Sequence, residues 1–488
     1  MVVGSAPDPA DIAALAAYKP ATAIRHVVVI VEENHTFDSY FGRYCTGNAG
    51  VTCANGPGCC EAAPATQPGL TGMVPPVLLT SGSNFALDRN HESTCELDQM
   101  HWDGSKYLMD RYVYGAGPNC SIPENFALVD PSQGTDDTGV STVYWPLARK
   151  HALADRYFQP VIGSTSSNDM FLATAQFHFV DNQAFPQALG TDCQLSYYNY
   201  LPPTLRNRPP SVTFHNTTIA DLLIEAVPGL PFGHYHQGYA SIHSAAQSGT
   251  LDKDDCPPIP DDCKVAAAKV NAAACSYDPS DNPFRYFPQF ADGSLYAQRY
   301  LKDLGSLATD ITAGGLPAVA FVKALSYTNE HPAWSHIYEG TALVQKVIDQ
   351  VLTTQSGEMV DGKFIPYADS TLVLLTWDEG GGFSDHVAPP RQAPIDGRNY
   401  GTRVPFLAIG KFAKQNYISH VQLEHSSIVK FIEWNFLGKK SGQLYGKNKP
   451  TQFGNPSDLP RDAVVNNLGD LLDAAQTAAT IPSGISDQ

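Results

Sequence analysis

Three uninterrupted apolar runs constrain this chain more than anything else in it: HVVVIVEEN at 26–34, TLVLLTWDEG at 371–380 and VPFLAIG at 404–410. None alternates polar with apolar residues, so neither face of such a strand meets water, and burial on both faces is the habit of parallel strands. PAVAFVKAL (317–325) is a fourth candidate. TALVQKVIDQVLTTQ (341–355) carries apolar residues at helical spacing and stands before the 371 run as a crossover helix would. HSSIVKFIEWNFL (425–437) predicts a second amphipathic helix, capped by a Ser. Strands alternating with helices predict an α/β fold, a mostly parallel central sheet sandwiched by helices. In such sheets ligands bind beyond the carboxyl ends of the strands. Two of the runs end there on acidic residues.

Residues 45–135 and 185–300 have another texture, rich in Cys, Pro, Asn, Gly and Tyr with weak periodicity. They predict long loop insertions that roof the sheet within one domain over 26–440, with an N-terminal extension at 1–25 and a tail at 441–488. DDCPPIPDDCKVAAAKVNAAAC (254–275) reads as a surface loop and short helix, and the tail from Pro450 as a surface wrap that ends disordered near IPSGISDQ. The ten cysteines (Cys45, Cys53, Cys59, Cys60, Cys95, Cys120, Cys193, Cys256, Cys263 and Cys275) are even in number and lie in loop-like sequence. Disulfides are the favoured reading, which predicts an oxidising, secreted or periplasmic setting with an export signal already removed. A structural zinc site is the rival, and the absence of any CxxC pair counts against it. Lys and Arg number 31 against 49 Asp and Glu, so the net charge is 31 − 49 = −18. That balance argues against nucleic acid as a partner and against non-specific docking on an anionic membrane. With no apolar run of 18 residues or more, no integral membrane association is expected.

Three segments carry chemistry. In Glu33-Asn34-His35-Thr36-Phe37-Asp38-Ser39-Tyr40-Phe41-Gly42 a carboxylate and an amide oxygen at a strand end are hard ligands for a divalent cation. The rival is that Asn34 caps the next helix. In Trp377-Asp378-Glu379-Gly380-Gly381-Gly382-Phe383-Ser384-Asp385-His386-Val387-Ala388-Pro389-Pro390 two carboxylates precede three glycines, where backbone approaches a ligand closely, and Asp385–His386 add an acid and an imidazole. An acidic surface turn fits poorly after so apolar a strand. Gly163-Ser164-Thr165-Ser166-Ser167-Asn168-Asp169, before an apolar helix, places hydroxyls at a helix N-terminus, as a metal-activated nucleophile or as ordinary caps.

Together these segments resemble the phosphoesterase family of bacterial acid phosphatases and non-specific phospholipases C, whose core is similar to that of the alkaline phosphatase superfamily. The family's E-N-x-[ST]-F-D-x-Y-F-G pattern matches 33–42, D-E-x-G-G-F-x-D-H-V-x-P-P matches 378–390, and G-[SP]-T-x-x-N matches 163–168. Glu330-His331-Pro332 with Gly340, Asp98-Gln99-Met100-His101 with Met109-Asp110, Tyr400-Gly401-Thr402-Arg403-Val404-Pro405 and Glu424-His425-Ser426-Ser427 extend the resemblance over about 26–437. It implies one divalent metal ion (Mg, Ca, Mn or Zn) on Glu33, Asn34, Asp378 and Glu379, with Thr165 completing the sphere and acting as nucleophile through a phosphothreonine. The alignment to Gly-Ser-Thr is what prefers Thr165 to Ser164. His101 and His331 would donate hydrogen bonds to phosphoryl oxygens or protonate the leaving alkoxide; Asp385 and His386 would stand behind the ligands or on the leaving-group side.

The chain also departs from the pattern. Family members often carry Pro-Asn-Arg where Ser167-Asn168-Asp169 stands, which removes a positive charge, and a His pair where Ser280-Asp281-Asn282 precedes Pro283-Phe284. Gly233-His234-Tyr235-His236 either supplies pocket imidazoles or is a solvated Tyr/His loop. The expected activity is a broad-range acid phosphatase acting on small phosphomonoesters. The alternative is a phospholipase C acting on phosphatidylcholine-like head groups, whose branch often carries extra C-terminal β-rich domains for which the sequence after 437 offers no room. The remote alternative is a catalytically inactive binding protein on this scaffold.

Overall fold

The computed structural model describes residues 6–178, 214–248, 250, 272–291, 293–450 and 457–487. Eight strands form one sheet: β1 (His26–Glu32), β2 (Ala152–Ala154), β3 (Phe232–His236), β4 (Leu301–Asp303), β5 (Val319–Lys323), β6 (Thr371–Trp377), β7 (Phe406–Ile409) and β8 (Tyr417–Ser419). Their order across the sheet is β8-β2-β7-β6-β1-β5-β3-β4. β1 lies between β6 and β5, and every residue of these three strands is buried. Each fully buried Val, Ile or Leu contributes roughly 1.5–3 kcal/mol, so the strands that carry the acidic ends form the most firmly held part of the core.

The expected mostly parallel α/β sheet is present, with one reversal. β7, expected to be parallel, runs antiparallel to both β6 and β2. A buried strand reads the same in either direction. The direction is set by the 378–405 link, which contains no helix to carry the chain back across the sheet, so β7 starts at the end where β6 stops.

Four helices bear on the site: α1 (Phe37–Phe41), α2 (Thr165–Thr174), α3 (Ile337–Val351) and α4 (His425–Phe436). α3 ends before the β-branched pair Thr353–Thr354, earlier than the apolar spacing suggests. α4 is capped by Glu424, not by a Ser. Its carboxylate accepts from the Ser426 N–H at 2.6 Å, and the Glu424 N–H donates to Ser427 Oγ at 3.2 Å.

The first insertion is pinned by the disulfides Cys45–Cys60, Cys53–Cys59 and Cys95–Cys120, which leaves no zinc role for the adjacent Cys59 and Cys60. Cys275 is also disulfide-bonded. Cys193, Cys256 and Cys263 and most of the 254–275 segment lie outside the described residues. The second insertion does more than roof the sheet: Phe232–His236 is the core strand β3, not a solvated loop. The tail is likewise more than a wrap. Arg461 is fully buried and its Nε donates to Asp396 at 2.7 Å, while Leu468 and Leu471 join the main core. Its end is held, since Lys430 Nζ donates to the Ile485 carbonyl at 2.7 Å and the Ser441 N–H to Asp487 at 2.9 Å.

Candidate active site

Parallel pairing of β1 with β6 puts Glu32 opposite Trp377. The chain therefore leaves the sheet at two neighbouring points, and Glu33–Asn34 and Asp378–Glu379 emerge side by side although they are far apart in sequence. The Asn34 N–H donates to Asp378 Oδ1 at 3.1 Å and stitches the two exits together. Asn34 itself takes a positive φ of 56°, and Gly381 packs so closely over it that a Cβ there would come within 2.2 Å of the Asn34 carbonyl. The helix after this turn is capped by Thr36, whose Oγ accepts from the Ser39 N–H at 3.3 Å. Asn34 is thus not the cap, and both polar atoms of its buried amide make no hydrogen bond.

Thr165 is the first residue of α2, and its hydroxyl donates to Glu33 Oε2 at 3.3 Å. The turn before it is fixed from two sides. Asn168 Nδ2 donates to the Gly163 carbonyl at 2.9 Å, and the Gly163 N–H donates to Glu96 Oε2 at 2.7 Å. Glu96 is itself fully buried, which pushes its carboxyl up to about 7. α2 presents its N-terminus to the same place, where free N–H groups favour oxyanions.

Buried carboxylates crowd this point. Asp378 Oδ2 and Glu379 Oε1 accept no hydrogen bond. Burial first, and then the neighbouring charge (Glu33 on Asp378, Asp378 on Glu379), raise both carboxyls well above the ordinary range. Orphaned buried oxygens are costly unless something outside the protein completes them. Two carboxylates, a third on Glu33 and an amide oxygen form the donor set of a hard divalent cation, so the residues present fit the ion that the resemblance implies.

The sequence alone did not point to Lys323. It is the last residue of β5, buried, with its ammonium against Glu33 and 3.6 Å from Asp169. Burial works against its charge, but Asp169, Glu33 and Asp281 outweigh it and hold the ammonium protonated. Burial likewise pushes Asp169 up to about 7 against the pull of Lys323, and Asp281 is raised for the same reason. Asp169 and Asp281 thus both act on the charge of one lysine. The signal was present in PAVAFVKAL, where a lysine closes an otherwise apolar strand. His234 and His236 lie on the neighbouring β3, fully buried; burial drops His234 to about 3, and His236 pairs in register with Lys323.

His331 follows Glu330, which is itself buried and accepts hydrogen bonds from Tyr40 at 2.7 Å, from the Trp377 indole at 3.1 Å and from Tyr144. The Gly340 of the same element makes room for it: a Cβ there would meet Glu330 Cγ at 2.2 Å. The imidazole beside His331 is that of His91, at 5.9 Å between ring centres, and His91 Nε2 lies 3.8 Å from Glu379 Oε1. Sequence reasoning missed His91. His101 is engaged elsewhere: its Nδ1 pairs with Asp110 at 2.7 Å, and its Nε2 accepts from Arg111 at 2.7 Å.

Asp385 and His386 belong to a second buried cluster. Arg403 Nε donates to Asp385 at 2.9 Å and its Nη2 to Asp38 at 3.0 Å, while His386 Nδ1 donates to Asp38 at 2.7 Å. Burial would depress His386, but Asp38 and Glu61 outweigh it and raise it to about 9.

The non-hemolytic phospholipase C of Burkholderia pseudomallei is 23% identical over 460 residues, covering 85% of this chain and 55% of the relative. Phospholipase C B of Mycobacterium tuberculosis (strain CDC 1551 / Oshkosh) is 22% identical over 455 residues, 85% of this chain and 74% of that one. The chain thus spans about half the length of the first relative and about three quarters of the second. A solved structure of a protein in the alkaline phosphatase superfamily from Vibrio parahaemolyticus is similar at a TM-score of 0.33 and 9% identity, covering 88% of this chain and 76% of that one, a slight likeness. The profile of the Phosphoesterase family matches residues 24–437. The chain belongs to the Phosphoesterase family.

Proposed function

We propose that this chain hydrolyses small phosphomonoesters, with Thr165 as the nucleophile. The observation that carries the reading is the Thr165 hydroxyl at the first turn of α2, hydrogen-bonded to Glu33, which adjoins the unpartnered Asn34 amide. Glu33, Asn34, Asp378 and Glu379 would hold one divalent cation, which when bound lowers the pKa of the Thr165 hydroxyl and offsets phosphoryl charge. Thr165 Oγ attacks phosphorus and passes its proton to Glu33. The P–O bond to the leaving alkoxide breaks as the P–Oγ bond forms, and the result is a phosphothreonine. Lys323 and the N–H groups at the start of α2 meet the phosphoryl oxygens. His331, with His91 beside it, protonates the leaving alkoxide, and a water then hydrolyses the phosphothreonine. In this reading Asp385 and His386 position the loop that follows Glu379 and touch no substrate.

A small ester suits the more open side of the site, where Asp88 is exposed and His91 and His331 are partly exposed. Phosphodiester cleavage of a phospholipid head group is the second reading, favoured by the names of the two relatives. The disulfides support a secreted or periplasmic setting, and no described helix is long and apolar enough to cross a membrane. One experiment tests the reading: turnover of p-nitrophenyl phosphate and p-nitrophenylphosphorylcholine by wild type and Thr165→Ala. The monoester should dominate, and the variant should lose roughly a thousandfold or more while its circular dichroism stays unchanged. Dominant diester turnover favours the second reading; wild-type rates in Thr165→Ala remove it from the nucleophile's place.

A further inference from the structure

The helix that carries Thr165 is braced by a part of the chain beyond the residues that the family profile matches, which end at 437. Arg461, fully buried in the tail, meets the Thr165 segment at three points. Ahead of the nucleophile, its Nη1 donates to the Pro160 carbonyl at 2.8 Å. Along α2, its guanidinium lies over the Phe171 ring, 4.7 Å from the ring centre. Behind α2, its backbone N–H donates at 2.7 Å to the carbonyl of Ala175, the left-handed residue that ends the helix. The guanidinium is fixed in turn. Nε and Nη2 donate to the two oxygens of Asp396 at 2.7 and 3.1 Å, and Tyr400 lies 4.9 Å away. The tail grips the chain once more just past α2, where Gln176 Nε2 donates to the carbonyls of Lys449, at 3.0 Å, and Asp458.

We propose that Arg461 is a positioning residue for the nucleophile, holding the 160–175 segment so that Thr165 Oγ keeps its place against Glu33. The assignment rests on the proposed function, since it takes Thr165 to be the attacking group. The Thr165 hydroxyl stands 3.3 Å from Glu33, long for an O–H donor, so little play remains before that contact is gone. A displacement of about 1 Å at a reacting group costs about a hundredfold in rate. The guanidinium suits the task because its planar fork serves Asp396 and Pro160 at once while its face stacks on Phe171. An ammonium reaches out from a single nitrogen and has no flat face, so lysine keeps the charge opposite Asp396 and loses the brace.

The test is turnover of whichever p-nitrophenyl ester the wild type hydrolyses faster, by the full-length enzyme supplied with a divalent cation. Wild type is compared with Thr165→Ala, with Arg461→Lys, and with Arg461→Met combined with Asp396→Asn. The combined variant removes both buried charges together and serves if Arg461→Lys does not fold. Circular dichroism and an unfolding midpoint above the assay temperature confirm each fold. In the Arg461 variants kcat should fall by about tenfold to a hundredfold. KM and the inhibition constant for inorganic phosphate should stay within about twofold of wild type. A residue that only anchors the tail lowers the midpoint and leaves kcat untouched, and that result overturns the proposal. Weaker KM and phosphate inhibition at unchanged kcat overturn it as well, since Arg461 then shapes the pocket and not the nucleophile. Wild-type rates in Thr165→Ala overturn it together with the proposed nucleophile, and that outcome is read without any change at Arg461.

Discussion

Two clusters of buried charge flank the ends of β1 and β6, and they are completed in different ways. In one, Asp38 and Asp385 are answered by Arg403 and His386. Both Asp38 oxygens and both Asp385 oxygens accept hydrogen bonds, and the guanidinium reaches on to the Asp155 carbonyl at 3.1 Å. In the other, Glu33, Asp378, Asp169 and Asp281 act on the ammonium of Lys323, Glu379 adjoins Asp378, and several oxygens have no partner. The carboxylates of both clusters are buried. The first cluster balances its charge with its own side chains and so needs nothing from outside. The second leaves negative charge and lone pairs over, which is the mark of a place built for a ligand.

If that contrast is real, the two clusters answer to substitution with opposite signs. The largest effect falls on the closed cluster. Arg403→Met leaves Asp38 and Asp385 buried without a counter-charge, and breaking a buried pair in this way costs about 3–5 kcal/mol. Chemical denaturation should show the midpoint falling accordingly. A loss under about 1 kcal/mol would mean that water already screens the cluster, and the contrast with the open one would fail.

The next effect is a pH dependence, also of the closed cluster. His386 rises from 6.5 to about 9 in the folded protein, so its share of stability is fully present below about pH 6.5 and fades as pH climbs through 9. A shift of that size corresponds to about 3 kcal/mol. Wild type should therefore lose stability between pH 6.5 and 9 relative to His386→Asn, measured as the difference of their unfolding midpoints. Parallel curves for the two would place His386 in water, outside the network.

Much of this was legible before any fold was known, and for identifiable reasons. Glu33, Asn34, Asp378 and Glu379 stand at the ends of apolar runs, and the rule that ligands gather at strand ends needs no three-dimensional knowledge. The direction of β7 was not legible, because Phe406–Ile409 is apolar in either sense. Nor was β3: the sequence Phe232-Gly233-His234-Tyr235-His236 looks polar, yet its imidazoles are buried against the sheet. The partners Lys323, Asp169, Asp281 and His91 meet only through strand register and loop folding across long stretches of chain, and local pattern carries no record of that. His101 shows how much lies in the partners. Its motif is sound as a pattern, but the residues that follow it, Asp110 and Arg111, engage both ring nitrogens.

The smallest predicted effect is the most pointed, because its sign is unusual. Asp378→Asn is isosteric and keeps an oxygen for the Asn34 N–H, so the stitch between the two strand exits survives. What it removes is a charge held against Glu33 and Asp169, and it turns the partnerless carboxylate oxygen into an amide N–H donor among carboxylates. Lifting that repulsion and placing a donor among carboxylate oxygens is worth about 1 kcal/mol, so the variant, stripped of metal by chelation, should be more stable than wild type by about that much in urea. Addition of a divalent cation should reverse the order, since wild type gains binding free energy that the variant has forfeited. An open cluster predicts this crossing of the two unfolding curves. If Asp378→Asn is instead destabilised in chelator, as Arg403→Met is, then the strand-end carboxylates are closed by their own protein after all, with Lys323 as their cation.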